Sequence, residues 1–368
     1  MVTTDIIDAL YKKEHNADMD DLCNKFNNST KIKFIFLRCQ KNSSWECDTV
    51  NLWGPDIEAE YIVDILTKDG TIDTIEFLSL PRDFDMSKIN KTDILAYSSN
   101  VYSSDYILNI IDKWHPKVLL HLSDEFRQKY EYTTAFNKVK LVYRQYKLDN
   151  EDTSRVKHLP VGYHSWGKYY IRNRQDIIPI NNRKYIWCFS GSSKGDREKM
   201  LTELSDIKPS FNQSTKAFET TPMFKNSKFA FSPQGNSTTE NSRIYEAMYN
   251  GTIPIIVGDK NKMDEFKNMF ELPLPCYFVE NIQGMKDIIN NTSVEELIKV
   301  QNECIDWCYN ISDIIRENII NCIMKEDNVT KENYELKKSN INILLIFLGI
   351  LALILFIIFC LKYFKIII

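Results

Sequence analysis

The sequence predicts an α/β protein built as two halves and followed by a transmembrane helix. Along residues 32–325, short apolar runs of strand length alternate with stretches of helical periodicity. Phe229 to Val257 reads without a break as strand, polar loop, helix and buried strand. Ile341 to Leu361 carries one polar amide, Asn342, and no charge, between Lys337 with Lys338 and Lys362 with Lys365; that length and flanking charge suit a membrane-spanning helix.

Taken in order, residues 1–31 are an N-terminal extension. Its first residues have neither a basic start nor an uninterrupted apolar core, so they do not read as a signal peptide. The first half, 32–172, offers strands at Ile32–Leu37, Tyr61–Leu66, Ile75–Leu80, Ile94–Ser98 and Val118–His121, with helical spacing over Ser103–Trp114. A strand at Leu141–Arg144 and a turn near Pro160–Tyr163 close it, and Asn173–Arg183 is a polar connection. The second half, 173–325, opens with a strand at Tyr185–Ser190 and a helix near Asp196–Leu204, and it ends in helices between Val294 and Met324. Loops such as Gln213–Phe224 carry no readable pattern. Residues 326–340 form a charged stalk before the span at 341–361.

At 368 residues, with 43% hydrophobic and 12% aromatic content, the chain can bury two modest cores. A net charge of −4 provides no basic field, so nucleic acid is not expected as a partner. Nine cysteines include no C-x-x-C pair, and Cys304 with Cys308 lack a second pair at metal spacing. Buried free thiols are the expectation, although Cys39 and Cys47 could close a loop in an oxidising compartment. His15, His115, His121, His158 and His164 show no two-histidine metal spacing. Asp18-Met-Asp20 and Asp83-Phe-Asp85 match a D-x-D pattern, which means little among 50 acidic residues; no metal is expected.

The richest chemistry lies in 229–257. Asn241 or Ser242 suits a helix N-cap and Gly251 a left-handed helix end. Ile244, Ala247 and Met248 make a core stripe, while Arg243 and Glu246 share another face. Thr252–Val257 is apolar enough for a parallel strand covered on both sides. A helix N-terminus beside the loop at Gly235 offers unpaired N–H groups, Ser242 among them, to a diphosphate; Arg243 adds charge and Glu246 can accept from sugar hydroxyls. The competing reading is an ordinary surface unit with a solvated Arg243–Glu246 pair. Ser190 to Arg197 follows a strand and opens a helix, so Ser190, Gly191, Lys194 and Arg197 could hold phosphate oxygens, although the order is not that of a P-loop; the alternative is a flexible turn. His121 to Glu125 follows an apolar strand where open α/β sheets place ligands, and Asp124 or Glu125 is the candidate general base; the alternative is a helix cap. Arg144, near Tyr146, either offsets diphosphate charge or pairs with Asp124 or Glu125 as a brace.

Ser232-Pro-Gln-Gly235, then Asn241-Ser-Arg-Ile-Tyr-Glu-Ala247 and Asn250-Gly-Thr-Ile-Pro-Ile-Ile256, is similar to the signature of the exostosin-like glycosyltransferases of family 47. His121-Leu-Ser-Asp-Glu125, Val142-Tyr-Arg-Gln-Tyr146, Leu159-Pro-Val-Gly-Tyr163 and Phe189-Ser-Gly-Ser192 resemble its ribitol-xylosyltransferase-like branch. The resemblance covers about Val118 to Val257. It departs at Thr252, where the family usually has Cys, and in the C-terminal position of the anchor. It implies a GT-B arrangement of two doubly wound, Rossmann-like domains, the first facing the acceptor and the second binding the donor. It further implies inverting transfer from a nucleotide-diphosphate sugar, of UDP type, to a glycan or glycoprotein acceptor without a required cofactor or metal. Asp124 and Glu125 then stand as catalytic candidates, and Arg144, Ser190, Gly191, Lys194, Arg197, Gly235, Ser242, Arg243 and Glu246 as donor-binding ones. The expected setting is a single-pass membrane protein with its catalytic part in the cytosol, on a host or viral membrane, rather than in the ER or Golgi lumen. The alternative function is a catalytically inactive membrane-tethered module that binds a glycan or a protein.

Overall fold

The structure is a computed structural model that describes residues 19–37, 56–67, 75–80, 84–125, 130–148, 151–163, 174–191, 196–212, 217–235 and 238–324. The segment 341–361, expected to span a membrane, lies outside the described residues, as do Lys194, Cys39, Cys47 and Asp83. Among the described residues no helix is long and apolar enough to cross a membrane. The described residues up to Ile319 belong to one compact unit.

That unit contains two parallel sheets. The first is formed by β1 (Ile32–Leu37), β2 (Ile75–Leu80), β3 (Ile94–Ser98), β4 (Val118–Leu122), β5 (Leu141–Arg144) and β6 (Val156–His158), in the order β2-β1-β3-β4-β5-β6. Its helices are α1 (Met19–Asn28), α2 (Asp56–Thr67), α3 (Ser104–Trp114) and α4 (Thr133–Asn137). The second sheet takes β7 (Tyr185–Phe189), β8 (Ser210–Asn212), β9 (Ser227–Pro233), β10 (Ile253–Val257) and β11 (Tyr277–Val279), in the order β11-β10-β9-β7-β8. It is accompanied by α5 (Asp196–Glu203), α6 (Ala217–Lys225), α7 (Ser242–Tyr249), α8 (Lys260–Asn268) and α9 (Ile282–Asn291), and a last helix, α10, runs over 294–324. Among the described residues every strand pairing is parallel.

In each sheet the direction of winding reverses once. The chain leaves β1 for β2 on one side and returns to β3 on the other, and it leaves β7 for β8 and returns to β9. Such switch points open a crevice at the carboxyl ends of the strands, where doubly wound sheets bind ligands.

Burial explains the central strands. All five residues of β3, of β4 and of β10 are buried, as parallel strands covered by helices require. Helix α3 starts where Ser103 accepts from the Tyr106 amide and stops at His115, whose φ of 48° leaves the helix. Ile107, Ile110, Ile111 and Trp114 face the first core, beside Leu95, Leu119 and Val142. A corresponding apolar cluster in the second half gathers Cys188, Met223, Phe224, Ala230 and Ala247.

One expected strand is a helix. Tyr61–Leu66 lies in α2, because β1 and β2 pair in parallel and the chain between them must cross a face of the sheet. Tyr61, Ile62, Val63, Ile65 and Leu66 are all buried there, and a helix enclosed on several sides loses the one-faced periodicity that marks it in a sequence. The segment Gln213–Phe224, expected as a loop, contains most of α6, with Pro222 inside the helix.

The connection between the sheets is anchored by Arg183, which is 5% exposed. Its guanidinium donates to the carbonyls of Ile178 (3.0 Å), Phe224 (3.2 Å), Ser227 (2.8 Å) and Asn250 (2.8 Å), and to Thr252 Oγ1 (2.7 Å). Burial lowers its pKa to about 10, so it stays charged at neutral pH. Thr252 also donates to the Phe224 carbonyl. The residue that departs from the family pattern therefore has a hydrogen-bonding task that a thiol would do poorly. Arg183→Ala leaves several buried acceptors unanswered, each worth roughly 1–3 kcal/mol. The expected loss of stability is at least about 3 kcal/mol, read as a lower urea midpoint; an unchanged midpoint contradicts this role.

Candidate functional site

The crevice of the second sheet lies between the ends of β7 and β9. Ser190 and Gly191 leave β7, Gln234 and Gly235 leave β9, and α7 begins at Ser242 after a short loop. Ile244, Ala247 and Met248 pin α7 to the core, each fully buried. The helix ends as expected, with Gly251 at φ +67° and its N–H bonded to the Met248 carbonyl at 2.9 Å.

The start of α7 is uncapped. Asn241 occupies the N-cap position without a side-chain cap bond. Its amide instead donates to Ser232 Oγ at 3.1 Å and to the Thr239 carbonyl at 3.3 Å. A helix end left in this state offers its first N–H groups to an anion.

Arg243 turns back over this end. Its Nη1 donates to the Ser190 carbonyl at 3.2 Å, and its guanidinium carbon stands 5.5 Å from the centre of the Phe189 ring. Nε is buried without a partner among the described residues. Burial, together with repulsion from Arg197, lowers its pKa to about 10, against the opposing pull of Glu246. The charge is kept at neutral pH but is poorly solvated. Gly191 makes room for it, since a Cβ there would lie 2.4 Å from Arg243 Nη1 and φ is +153°. Arg197, at the start of α5, donates to the Gln234 carbonyl at 3.0 Å, which brings a second guanidinium to the same crevice. Glu246, one turn along α7, is buried. Gly235 fits because a Cβ would meet the Thr238 carbonyl at 2.9 Å.

The two catalytic candidates separate. Glu125 reaches this edge from the first half, with Oε1 3.9 Å from where a Gly235 Cβ would be. It is half-buried, and burial raises its pKa while Arg197 opposes the rise. Asp124 is 2% exposed and forms an ion pair with Arg144, beside His121 Nε2 at 3.3 Å. Fully buried, Arg144 also pairs with Glu151. His121 completes the cluster through Tyr97 OH at 2.9 Å. Arg144 thus pairs with Asp124 and Glu151, the brace that the sequence offered as the alternative to donor binding, and of the two acidic candidates Asp124 is engaged in that brace while Glu125 stands at the edge near Gly235. The neighbouring strain agrees with a constrained edge: Ser123 and Tyr146 hold φ of +61° and +54°, and Gln145 Oε1 accepts from the Ser123 amide at 2.7 Å.

The sequence reading passed over Glu240. It sits just before α7 and touches both halves; its partners are His158, the Val161 amide and Tyr245. Its only signal in the sequence was its place beside the Asn241-Ser-Arg motif. Among the described residues no group of three His, Cys, Asp or Glu side chains could hold a metal ion. Asp85 caps the turn at Met86–Lys88, and Asp20 pairs with Lys88 at the surface.

Residues 115–274 match the Exostosin GT47 domain. The match spans β4 to α8 and so contains both Glu125 and the whole Arg243 crevice. Over that span, which is less than half of the chain, the sequence is similar to exostosin-like glycosyltransferases, and the protein is a glycosyltransferase. No curated protein matches the sequence. Several solved structures resemble the chain at low identity. Anabaena Alr3699/HepE with UDP and glucose is 11% identical at a TM-score of 0.40, covering 82% of this chain and 100% of that one. An alpha-glucosyltransferase with UDP and a 13-mer DNA containing a HMU base is 10% identical at 0.45, covering 80% and 100%. A glycosyltransferase from Rickettsia africae ESF-5 is 10% identical at 0.36, covering 83% and 99%.

Proposed function

We propose that the enzyme transfers a sugar from a nucleotide-diphosphate sugar, bound at the carboxyl edge of the second sheet, to a hydroxyl of a glycan or glycoprotein acceptor. The observation that carries this reading is Arg243, a part-buried arginine whose buried Nε has no partner among the described residues, beside an uncapped helix N-terminus. A diphosphate answers both at once. Arg243, Arg197 and the Ser242 amide take phosphate oxygens, joined by Lys194, which lies between β7 and α5 in the sequence. Ser190 and Gly191 supply backbone, Gly235 lets the loop come close, and Glu246 accepts from sugar hydroxyls. Glu125 takes the proton of the acceptor hydroxyl as its oxygen bonds the anomeric carbon. The diphosphate leaves with the electron pair of the broken bond, and the cations stabilise the charge that develops there. In this scheme attack comes from the face opposite the leaving group, so the configuration inverts, and the arginines and helix end take the place of a metal. The donor of UDP type and the ribitol-xylosyltransferase-like branch follow from the motif resemblance.

The test is a panel of UDP- and GDP-sugars in the presence of EDTA. One donor is expected to be consumed, with inversion seen by NMR of the product, and Arg243→Ala should lower turnover at least about 10²-fold while its melting temperature stays at that of the parent. Normal turnover by the variant contradicts the assignment.

The pH dependence has a defined sign. The base acts as a carboxylate, so the rate rises with pH through a pKa above the ordinary glutamate range, because burial raises that of Glu125. Arg243 keeps its proton until the pH nears about 10, where donor binding weakens. Glu125→Gln should remove the ascending limb along with most of the activity; an identical profile in that variant shows that the base is elsewhere.

We further propose that 341–361 anchors the enzyme in a membrane, on the sequence pattern alone. The full chain should then resist carbonate extraction from membranes and a chain ending before Lys337 should not; release of both contradicts the anchor.

A further inference from the structure

We propose that Glu240 is a positioning residue that holds the donor helix α7 in place against the first sheet, an inference that rests on the proposed function. One carboxylate oxygen, Oε1, gathers three donors: His158 Nε2 at 3.2 Å, the Val161 amide at 3.0 Å, and the hydroxyl of Tyr245. The first two come from the end of β6 and the turn after it, in the first half. Tyr245 lies on α7 itself, and Glu240 immediately precedes the N-cap Asn241. The residue is 3% exposed.

Rings close the same contact from behind. His158 meets Phe270 edge-on at 4.7 Å, Phe270 meets Trp307 at 5.3 Å, and Trp307 stacks on Tyr245 at 6.1 Å. The path from Glu240 through His158, Phe270 and Trp307 returns to Tyr245 and so to Glu240. At the surface, Lys157 and Glu271 pair at 2.6 Å along the same seam. The cluster is not tuned for stability alone, because Glu240 Oε2 and His158 Nδ1 are buried without partners among the described residues. A half-satisfied buried polar network costs more than apolar packing of the same volume.

Its location gives it a task. The base Glu125 belongs to the first half, whereas Arg243 and the end of α7 belong to the second. A misplacement of about 1 Å between reacting groups can cost on the order of 10²-fold in rate. The Glu240 carboxylate is a hydrogen-bonded tie between the strand layer that carries the base and the helix that carries the donor, beside the ring contacts of Tyr249 with Tyr61 and Tyr163. It touches no substrate in this scheme; it acts through α7.

The test uses Glu240→Ala in the full chain with three readouts. The Val161 amide should exchange hydrogen much faster than in the parent, reporting loss of the contact. Binding of UDP and GDP by calorimetry should stay within about threefold, since Arg243 and the α7 end remain. With the sugar nucleotide that the parent consumes, kcat should fall about 30-fold or more and KM should hold within about threefold, as expected for lost orientation. Glu240→Gln, which keeps an acceptor oxygen, should recover most of kcat. Should the alanine variant fail to fold, Tyr245→Phe removes one donor and should lower kcat about 3–10-fold with the same KM pattern. Parental kcat in either folded variant overturns the inference, as does a loss of nucleotide binding equal to the loss of kcat, or an unchanged Val161 amide. A parent chain that consumes no sugar nucleotide removes the proposed function first and this inference with it.

Discussion

A partly buried cation with few hydrogen-bond partners dominates the edge of the second sheet. Desolvating a guanidinium is expensive, and among the described residues Arg243 receives the Ser190 carbonyl, the face of Phe189 and the pull of Glu246 in return. The rest of the crevice is arranged so that this expense persists. Gly191 leaves the volume the guanidinium occupies, Arg197 adds charge of the same sign, and Asn241 turns away from the helix end it could have capped. The like charge and the uncapped helix end are unfavourable by themselves, and under the proposed function a diphosphate answers both. Preorganised positive charge of this kind also serves a leaving group, whose charge is greatest in the transition state.

Topology places that charge. In both sheets the strand order reverses beside the first strand of the half, and the second reversal puts the ends of β7 and β9 next to each other. Arg243 comes from the helix after β9 and folds over the end of β7, while Arg197 comes from the helix after β7 and reaches the end of β9. The two arginines cross the switch point from opposite sides. Arg183 gathers carbonyls from α6, β9 and the α7–β10 turn, so the same second sheet contains one arginine hydrogen-bonded on many sides and another, Arg243, with fewer partners among the described residues.

The legible parts of the chain were those in which local pattern and tertiary environment agree. Strands β3, β4 and β10 are buried on both faces and read as continuous apolar runs; α7 displays its stripe, its Arg243–Glu246 face and its Gly251 stop. Tyr61–Leu66 misled because a helix packed on several sides has the composition of a strand. The three-residue strands β6, β8 and β11 are set by their neighbours in the sheet rather than by their own residues, and Pro222 hides α6. In the candidate site, the placement of Arg243 at the start of a helix after a strand was readable from the motif, but the different surroundings of Asp124 and Glu125 were not. Adjacent carboxylates look alike in a sequence; one of them meets Arg144 across twenty residues and the other meets Gly235 across more than a hundred. Glu240 was invisible for the same reason, since its partners His158 and Val161 lie in the other half.

A crystal structure of the enzyme with UDP or GDP bound is the most direct test. The central claim predicts the diphosphate at the N-terminus of α7, with oxygens in hydrogen-bond reach of the Arg243 guanidinium and the Ser242 amide, and Arg197 on the opposite flank. A nucleotide bound elsewhere, or one whose phosphates leave Arg243 without a contact, would contradict it.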